Sequence, residues 1–382
     1  MVGAMITKIA DNIISPLGCT SQENFENVLC GITMLKPQKE KFNLHEEFCG
    51  SLFDKEKIEV LLEKEISNIE NFTFFESLCI ASAKRAISEC NLSPRESNVL
   101  FVLSTTKGNV EYLENSINDE RCYLSESAEK IANYFGNYNT PIVVSNACIS
   151  GVCAQITAVR ELLSGKYRYA VVIGCDVLSK FIVSGFQSFK ALSPNQCKPF
   201  DTERLGLNLG EGVGTMILKS GEPTNKEDWQ YVSSSIHNDA NHISGPSRTG
   251  EGAYRVLNDI IETIDVNEIG FVNVHGTSTA YNDEMESIAI HRANLDDIPV
   301  NGLKGYYGHT LGAAGIIETI ISMKAIENGI IIGTKGFENI GTSYNVNVSN
   351  LVRETSKRTL IKILSGFGGT NAGICYRKGG DE

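Results

Sequence analysis

Short β-branched runs alternate with stretches of helical periodicity along this chain, and this alternation restricts the fold more than any other feature of the sequence. Strands are predicted at Val99-Leu103, Ile142-Ser145, Tyr169-Ile173, Thr215-Leu218, Phe271-Val274, Ile298-Asn301 and Leu360-Leu364. Helices are predicted at Phe75-Glu89, Gly151-Ser164, Gly252-Ile264, Asp283-Ala293 and Gly312-Asn328. The alternation is typical of an α/β fold with largely parallel sheets.

The polar, turn-rich segment KSGEPTNKED, residues 219–228, is the best position for a junction between two halves. It predicts an N-terminal half over residues 1–220 and a C-terminal half over residues 221–382. A chain of 382 residues is long enough for two core-forming domains or one large duplicated fold. A site built from both halves lies at their interface, where pockets are common.

Composition and charge exclude several classes of function. The formal net charge of −12 argues against binding to nucleic acid, which needs a basic face. The longest apolar runs fall short of the roughly 18–20 residues that cross a bilayer, and the start of the chain has no pattern of a secretory signal. Eleven cysteines at irregular spacings predict free thiols in the cytoplasm. Because they form no CxxC pair, no metal site is expected.

The stretch SNACISGVC, residues 145–153, places Cys148 between a predicted strand and a predicted helix. Unsatisfied N–H groups at a helix N-terminus favour a thiolate, so the position predicts a lowered thiol pKa and a nucleophile on a sharp turn. Most free cysteines are nevertheless inert and buried, and this stretch alone leaves both interpretations open.

Two further stretches place histidines at candidate site positions, one at the end of a strand and one on a loop between a strand and a helix. In FVNVHGTSTAYNDEMES, residues 271–287, a strand ends at His275, where an α/β fold places catalytic groups. In NGLKGYYGHTLGAAG, residues 301–315, Lys304 and His309 lie on a loop before a helix that begins with small residues and can therefore pack closely. A buried structural histidine and a surface lysine are the alternatives.

Three further segments, two of them rich in glycine, complete the set of motifs. SGFGGTNAG, residues 365–373, joins two strand-like runs and is either a site loop with free N–H groups or a tight hairpin turn. CKPFDTERLGLNLGEGVG, residues 197–214, lacks a phosphate-binding pattern and is interpreted as a buttress. NDANHISGPSRTG, residues 238–250, is expected to line an entrance.

Together, seven stretches in order resemble the elongating-type β-ketoacyl-acyl carrier protein synthases of the thiolase superfamily. They are SNACISG, GFQSFKALS, KPFDTERLGLNLGEGVG, NDANHISGP, VHGTSTAYND, LKGYYGHTLGAAG and GFGGTNA. The resemblance extends from about residue 99 to the C-terminus. Before residue 99, the stretch IISPLG, residues 13–18, is the one clear match. It implies a thiolase-like fold of two similar αβαβα halves with a five-layered core, and a dimer.

The resemblance also implies roles for single residues, and these roles do not follow from spacing alone. Cys148 corresponds to the acylated nucleophile, His275 and His309 to the two active-site histidines, and Lys304 to the active-site lysine. The backbone N–H groups of Cys148 and Phe367 correspond to the oxyanion hole. The supporting or pocket residues that the resemblance implies are Glu318, Thr277, Thr279, Phe186 and Phe367.

The implied reaction is a decarboxylative Claisen condensation of an acyl group on Cys148 with malonyl-acyl carrier protein, giving a β-ketoacyl-carrier in type II fatty acid or related polyketide or polyene synthesis. No bound cofactor is expected, since the substrates are carried as thioesters on the phosphopantetheine of acyl carrier protein. The implied partners are the acyl and malonyl forms of that carrier and a second subunit, most simply in a homodimer, with a heterodimer possible. For carrier docking, Lys190 matches a family basic position, and the other candidates are Arg204, Lys84, Arg85 and Lys198.

The chain departs from the family pattern in two regions. STTKGNVEYLEN, residues 104–115, replaces the usual glycine-rich segment, which predicts a different acyl pocket. EKEISNIENF, residues 63–72, is acidic or neutral where relatives carry basic residues, which predicts weaker or dedicated carrier docking. Three alternatives stay open: a secondary-metabolite ketosynthase with its own carrier, a catalytically silent partner subunit, and an acyltransferase that stops at the acyl-enzyme.

Overall fold

The computed structural model describes residues 5–380, except for His45, Asn115, Ile117 and Thr224. The strands of this part of the chain are β1 Ile6–Ile14, β2 Lys36–Gln38, β3 Phe48–Ser51, β4 Val99–Ser104, β5 Ile142–Val144, β6 Tyr169–Asp176, β7 Leu209–Gly210, β8 Gly212–Ser220, β9 Trp229–Asn238, β10 Ile269–Asn273, β11 Pro299–Asn301, β12 Ile330–Ile331, β13 Asn347–Val348, β14 Arg353–Glu354, β15 Thr359–Gly366 and β16 Thr370–Lys378. Its α-helices are α1 Ser21–Leu29, α2 Lys55–Glu65, α3 Phe74–Ser88, α4 Leu124–Tyr134, α5 Ser150–Leu163, α6 Lys180–Ser188, α7 Glu251–Ile261, α8 Ala280–Arg292, α9 Lys304–Tyr307 and α10 Ala314–Glu327.

The same five-strand arrangement occurs twice along the chain. The first set has the order β5-β4-β6-β8-β1, and the second has the order β11-β10-β15-β16-β9, with β13 added at its outer edge. In each set the first two neighbouring pairs are parallel and the last two are antiparallel. The repeated order and directions show the two similar halves of a thiolase-like fold.

Five layers stack in the order helix, sheet, helix, sheet, helix. Helices α5 and α10 contact strands of both sets and form the middle layer, while α3 covers the first sheet and α7 covers the second. Apolar cores fill the spaces between these layers. The two sheets also meet edge to edge, where Thr7 and Lys8 of β1 pair with Gln230 and Trp229 of β9.

The prediction of largely parallel sheets is wrong for half of the strand pairs. In each half one strand runs against its neighbours: β8 is antiparallel to β6 and β1, and β16 is antiparallel to β15 and β9. The reason is clearest in the second half, where the turn at residues 367–369 is too short for the crossover that parallel strands need. Residues 221–228 connect β8 to β9, so the polar segment lies between the two strand sets, apart from Thr224, which is outside the described residues.

Small residues allow the middle layer to close. A Cβ atom added to Gly315 of α10 would lie 2.5 Å from the backbone nitrogen of Val152 in α5, and one added to Gly151 would lie 2.9 Å from the backbone nitrogen of Gly315. The two helices therefore touch backbone to backbone at their N-terminal ends, as the small residues at 312–315 predict. Among the described residues, each helix is too short or too polar to pass through a bilayer.

Candidate active site

Cys148 lies on a strained turn between β5 and α5. The preceding residue, Ala147, has a φ of 45°, a left-handed conformation that is unfavourable for a residue with a side chain. The Ser150 hydroxyl stabilises the turn, since it accepts a hydrogen bond from the Asn146 N–H at 2.8 Å and donates one to the Ala147 carbonyl at 2.6 Å. The cysteine is 7% exposed, and it borders two cavities.

The thiol pKa is raised, which corrects the expectation of a lowered value. Burial raises the pKa of Cys148 to about 11, although the Lys304 and Lys107 ammonium groups and the Phe367 N–H act in the opposite direction. Sequence reasoning identified the helix N-terminus but not the desolvation of the turn, which dominates. The resting thiol is therefore protonated at neutral pH.

His275 follows β10 on a loop whose backbone is held by acids of α8. The Glu286 carboxylate accepts hydrogen bonds from the His275 N–H at 2.6 Å and from the Gly276 N–H at 2.8 Å, and Asp283 accepts from the N–H groups of Thr277 and Ser278. The sequence does not predict this role, because acids in the first turn of a helix are equally explained by the helix dipole. Burial, with a contribution from the preceding Asp283 charge, raises the Glu286 pKa to about 7.

His309 is fixed by its own backbone and by the segment before β8. Its N–H donates to the Asn208 carbonyl at 2.7 Å, and its carbonyl accepts from Gly210 at 3.0 Å, so the segment at residues 197–214 is a buttress, as interpreted. The Leu311 N–H donates to the ring Nδ1 at 3.2 Å. In the neutral ring, this bond assigns the proton to Nε2.

The cysteine and the two histidines converge although they are distant in sequence. The Cys148 Sγ and a ring nitrogen of each histidine lie within 4.8 Å of one another. Burial, and then the nearby lysine charges, hold the pKa of both imidazoles well below the usual range. Both rings are therefore neutral at physiological pH. The same three donors could also hold a metal ion, which the sequence analysis did not expect.

A buried ionic cluster lies behind the histidines. The Glu318 carboxylate on α10 bonds the Lys304 Nζ at 2.8 Å through one oxygen and the Lys362 Nζ at 2.5 Å through the other. Burial by itself raises the Glu318 pKa, but the two ammonium groups overcome this and lower it. Lys362 was missed, because a lysine within an apolar strand gives no sequence signal of its partner.

The hairpin between β15 and β16 closes the site above Cys148. The Phe367 N–H lies close enough to the Cys148 thiol to favour its thiolate form, so this loop is both the tight turn and the source of a donor to the site. The Phe367 ring stacks on Phe186 with centroids 5.9 Å apart and meets Phe189 edge-on at 5.4 Å. Three aromatic rings thus cover the approach to the thiol.

The first cavity leads from the surface to Cys148, His275 and His309 and has a volume of about 480 Å³. Thr277 and Thr279 lie in its wall and share a hydrogen bond of 2.9 Å between their hydroxyls. The loop at residues 238–250 contributes His242 and Pro246, as expected for an entrance.

A second cavity also borders the thiol and has a volume of about 490 Å³. Its lining is mainly apolar, with Phe181, Ile182 and Leu311, but it includes Thr106 and Lys107 from the unusual segment at residues 104–115, whose last residue lies outside the described part. The two cavities meet at Cys148 and Phe367.

Two family models together match well over half of the chain. The model of the N-terminal domain of β-ketoacyl synthase matches residues 59–223, and the model of its C-terminal domain matches residues 230–338. The chain belongs to the β-ketoacyl synthase family.

Members of this family from several sources are similar to the chain over nearly its whole length. The 3-oxoacyl-[acyl-carrier-protein] synthase 2 of Vibrio harveyi is 25% identical, over 96% of this chain and 96% of the relative. Among solved structures, the ketosynthase of Xenorhabdus doucetiae in complex with its chain length factor has a TM-score of 0.83 at 22% identity, covering 98% of both chains. The ishigamide ketosynthase/chain length factor has a TM-score of 0.87 at 22% identity, covering 99% of this chain and 100% of that one. These structures confirm the thiolase-like fold.

The structure separates the basic residues that were considered for carrier docking in this β-ketoacyl synthase. Lys190 is exposed at the mouth of the first cavity. Arg204 instead points inward, with 11% of its side chain exposed, and donates to the carbonyls of Gly341 and Asp201. It therefore does not fit the docking role, because internal carbonyl acceptors take its donors.

The other three candidates are also engaged within the chain. Arg85 pairs with Glu65, Lys84 donates to the Glu65 carbonyl, and Lys198 pairs with Glu203. Of the five, Lys190 is the best placed for a carrier.

Proposed function

We propose that the chain catalyses the decarboxylative condensation of an acyl group held on Cys148 with a malonyl-carrier thioester. The observation that carries this proposal is the meeting of one thiol and two neutral imidazoles where two cavities join. A thiol accepts the acyl group, and neutral imidazoles donate N–H bonds to a developing negative charge.

Acyl transfer is the first step. The Cys148 Sγ attacks the thioester carbonyl of the acyl-carrier, and the N–H groups of Cys148 and Phe367 stabilise the oxyanion. The intermediate expels the phosphopantetheine thiolate, which takes up the proton that the thiol has lost. Because the resting thiol is protonated, proton loss accompanies the attack.

Decarboxylation follows once the malonyl-carrier occupies the first cavity. The bond between the carboxylate and the α-carbon breaks, CO₂ leaves, and the electron pair forms an enolate whose oxygen lies on the thioester. His309, with its proton on Nε2, and His275 donate to this oxygen. The enolate carbon then attacks the carbonyl of the Cys148 thioester, the C–S bond breaks, and the released Cys148 thiolate takes a proton from solvent.

The apolar second cavity is proposed to hold the acyl chain. Phe186, Phe189 and Phe367 lie between it and the first cavity, where they can admit the chain to the thiol. Thr277 and Thr279 are proposed to contact the phosphopantetheine, since their hydroxyls line the route of entry. Lys304 and Glu318 support the histidines from behind.

Acyl carrier protein is the proposed partner, and Lys190 is its proposed contact. In one solved relative, a type II polyketide ketosynthase is seen in complex with its acyl-carrier protein. We further propose two thiolase-like domains, residues 1–220 and 221–382, in a homodimer or in a heterodimer like the ketosynthase–chain length factor pairs. Eleven free cysteines suit the reducing conditions of the cytoplasm.

Mass spectrometry of the intact protein tests the nucleophile. The wild type, Cys148→Ala and the matched control Cys153→Ala are each mixed with a panel of acyl-carrier thioesters. Cys153 is the control position because its thiol is also buried and also has a pKa of about 11. A mass gain on the wild type and on Cys153→Ala, but not on Cys148→Ala, supports the proposal. The acyl group that gives the largest gain distinguishes fatty-acid from polyketide or polyene chemistry. A gain on Cys148→Ala would refute the proposal.

A further inference from the structure

Lys362 is a fully buried lysine in the interior of β15, with apolar and equally buried residues on both sides. Removing an ammonium group from water costs several kcal/mol, so its partners must offset that cost. It has two: the Glu318 Oε2 at 2.5 Å and the Val274 carbonyl at 3.1 Å. The sequence motifs did not include this residue.

The Val274 carbonyl belongs to the same peptide group as the His275 N–H. Lys362 bonds that peptide at its oxygen, and Glu286 bonds it at its nitrogen at 2.6 Å. A buried ammonium group and a buried carboxyl group thus hold one peptide group from its two ends. Because this peptide contains the backbone nitrogen of His275, Lys362 and Glu286 together fix the position of the His275 backbone, and hence the point from which its side chain extends.

Lys362 also shares the carboxylate that partners Lys304. With both lysines charged and Glu318 ionised, the cluster behind the histidines carries two positive charges and one negative charge. Each ammonium acts on both imidazoles and favours their neutral form. The excess positive charge also lies where it can attract the negative charge of an enolate.

We propose that Lys362 is a positioning residue for the decarboxylation step, holding the Val274–His275 peptide so that the His275 imidazole meets the developing enolate. This proposal rests on the proposed function. Lys362 itself forms no covalent bond, and it contacts the reacting atoms only through His275. Acyl transfer to Cys148 relies on the N–H groups of Cys148 and Phe367, so it does not depend on the peptide that Lys362 holds.

The test compares Lys362→Met with the matched control Lys8→Met. Lys8 is another lysine on a strand, with 12% of its side chain exposed, and it pairs with Asp11 of β1. The groups that act on it are Asp11, Glu327 and Glu89 rather than the histidines. Two rates are measured for each protein: acylation of Cys148 by an acyl-carrier, and CO₂ release from malonyl-carrier. Misplacement of a reacting group by about 1 Å lowers a rate on the order of 100-fold.

We expect Lys362→Met to lower CO₂ release by roughly 10- to 100-fold while acylation stays within about threefold of the wild type. Lys8→Met should lower thermal stability without changing the ratio of the two rates. An unchanged ratio in a folded Lys362→Met protein would overturn the inference. A wild type that neither acylates nor releases CO₂ would instead overturn the proposed function.

Titration of the wild type provides a test that needs no variant. Burial lowers the pKa of Lys362 to about 8, so this lysine loses its charge above that pH. The charged and titratable groups around it and His275 are Lys304, Glu318, Glu286, His309 and Cys148. The neutral amine is a weaker donor to the Val274 carbonyl and no longer forms an ion pair with Glu318, so it holds the peptide less firmly. CO₂ release should therefore fall above about pH 8, in step with a lysine resonance that titrates there by nuclear magnetic resonance, while acylation does not fall. A CO₂ release that is flat through that transition contradicts the inference, even where Lys362→Met does not fold.

Discussion

The imidazole rings of His275 and His309 meet edge to face, with their centroids 5.0 Å apart and their planes at 82°. Two protonated rings at this separation would repel each other, and the Lys304 and Lys362 charges add to that repulsion. Burial and these charges keep both rings neutral, so each retains one N–H to donate.

Nuclear magnetic resonance of ¹⁵N-labelled histidine should show both rings neutral between about pH 6 and pH 8, with the His309 proton on Nε2. The reason is the hydrogen bond from the Leu311 N–H, which occupies Nδ1. Spectra of His275→Ala and His309→Ala assign the signals. An imidazolium signal from either ring in this range, or a His309 proton on Nδ1, would contradict the arrangement.

The reactivity of Cys148 should increase with pH. Since its pKa is raised to about 11, the thiolate fraction and the rate of alkylation by iodoacetamide should increase about tenfold for each pH unit above neutrality. Alkylation is followed by peptide mass spectrometry, with Cys30, which is exposed, as the internal reference. A rate at Cys148 that is high and independent of pH would mean that the helix terminus outweighs burial.

Much of this site could be predicted from the sequence, because its motifs are local. Cys148 and His275 each follow a strand, His309 lies between β11 and α10, and small residues follow all three. The resemblance added roles for Lys304 and Glu318. Lys362 could not be predicted, since its partner Glu318 lies 44 residues away and neither stretch indicates the contact.

The errors have the same physical origin as that omission. Arg204 was considered for docking, but the carbonyls that take its donors belong to Asp201 and to Gly341, which is 137 residues away. The Cys148 pKa depends on burial, and the turn that carries Cys148 is buried only when the β15–β16 hairpin covers it. The long strands β1 and β9, where the two sets meet, have no counterpart among the predicted strands, and neither do the short strands β2, β3, β7, β12, β13 and β14.

Gly315→Val should destabilise the protein at the contact between α5 and α10. Its Cβ would lie 2.5 Å from the Val152 nitrogen and 2.7 Å from the Gly151 carbonyl carbon, and backbone atoms cannot move aside easily. Urea denaturation should show a loss of roughly 1–3 kcal/mol in the free energy of unfolding. Gly185→Ala, where the added Cβ has no atom within 4 Å, is the control. Equal midpoints for the two variants would show that the middle layer tolerates the extra volume.

Lys190→Glu should raise the KM for the acyl-carrier by about three- to tenfold at low salt, because a carrier is acidic. The effect should shrink as the salt concentration rises. Lys166→Glu is the control, since Lys166 precedes the start of β6, at the end of the sheet opposite Cys148. If both variants bind the carrier as the wild type does, docking does not use Lys190.

The measurement that tests the central claim most directly follows CO₂ and the β-ketoacyl-carrier together in a reaction of acyl-carrier with malonyl-carrier. The wild type should release one CO₂ for each β-ketoacyl product, and His309→Ala should lower both by roughly 10²–10³-fold while still acquiring the acyl group on Cys148. A wild type that becomes acylated but never consumes malonyl-carrier, or a His309→Ala variant that condenses at the wild-type rate, would contradict the account.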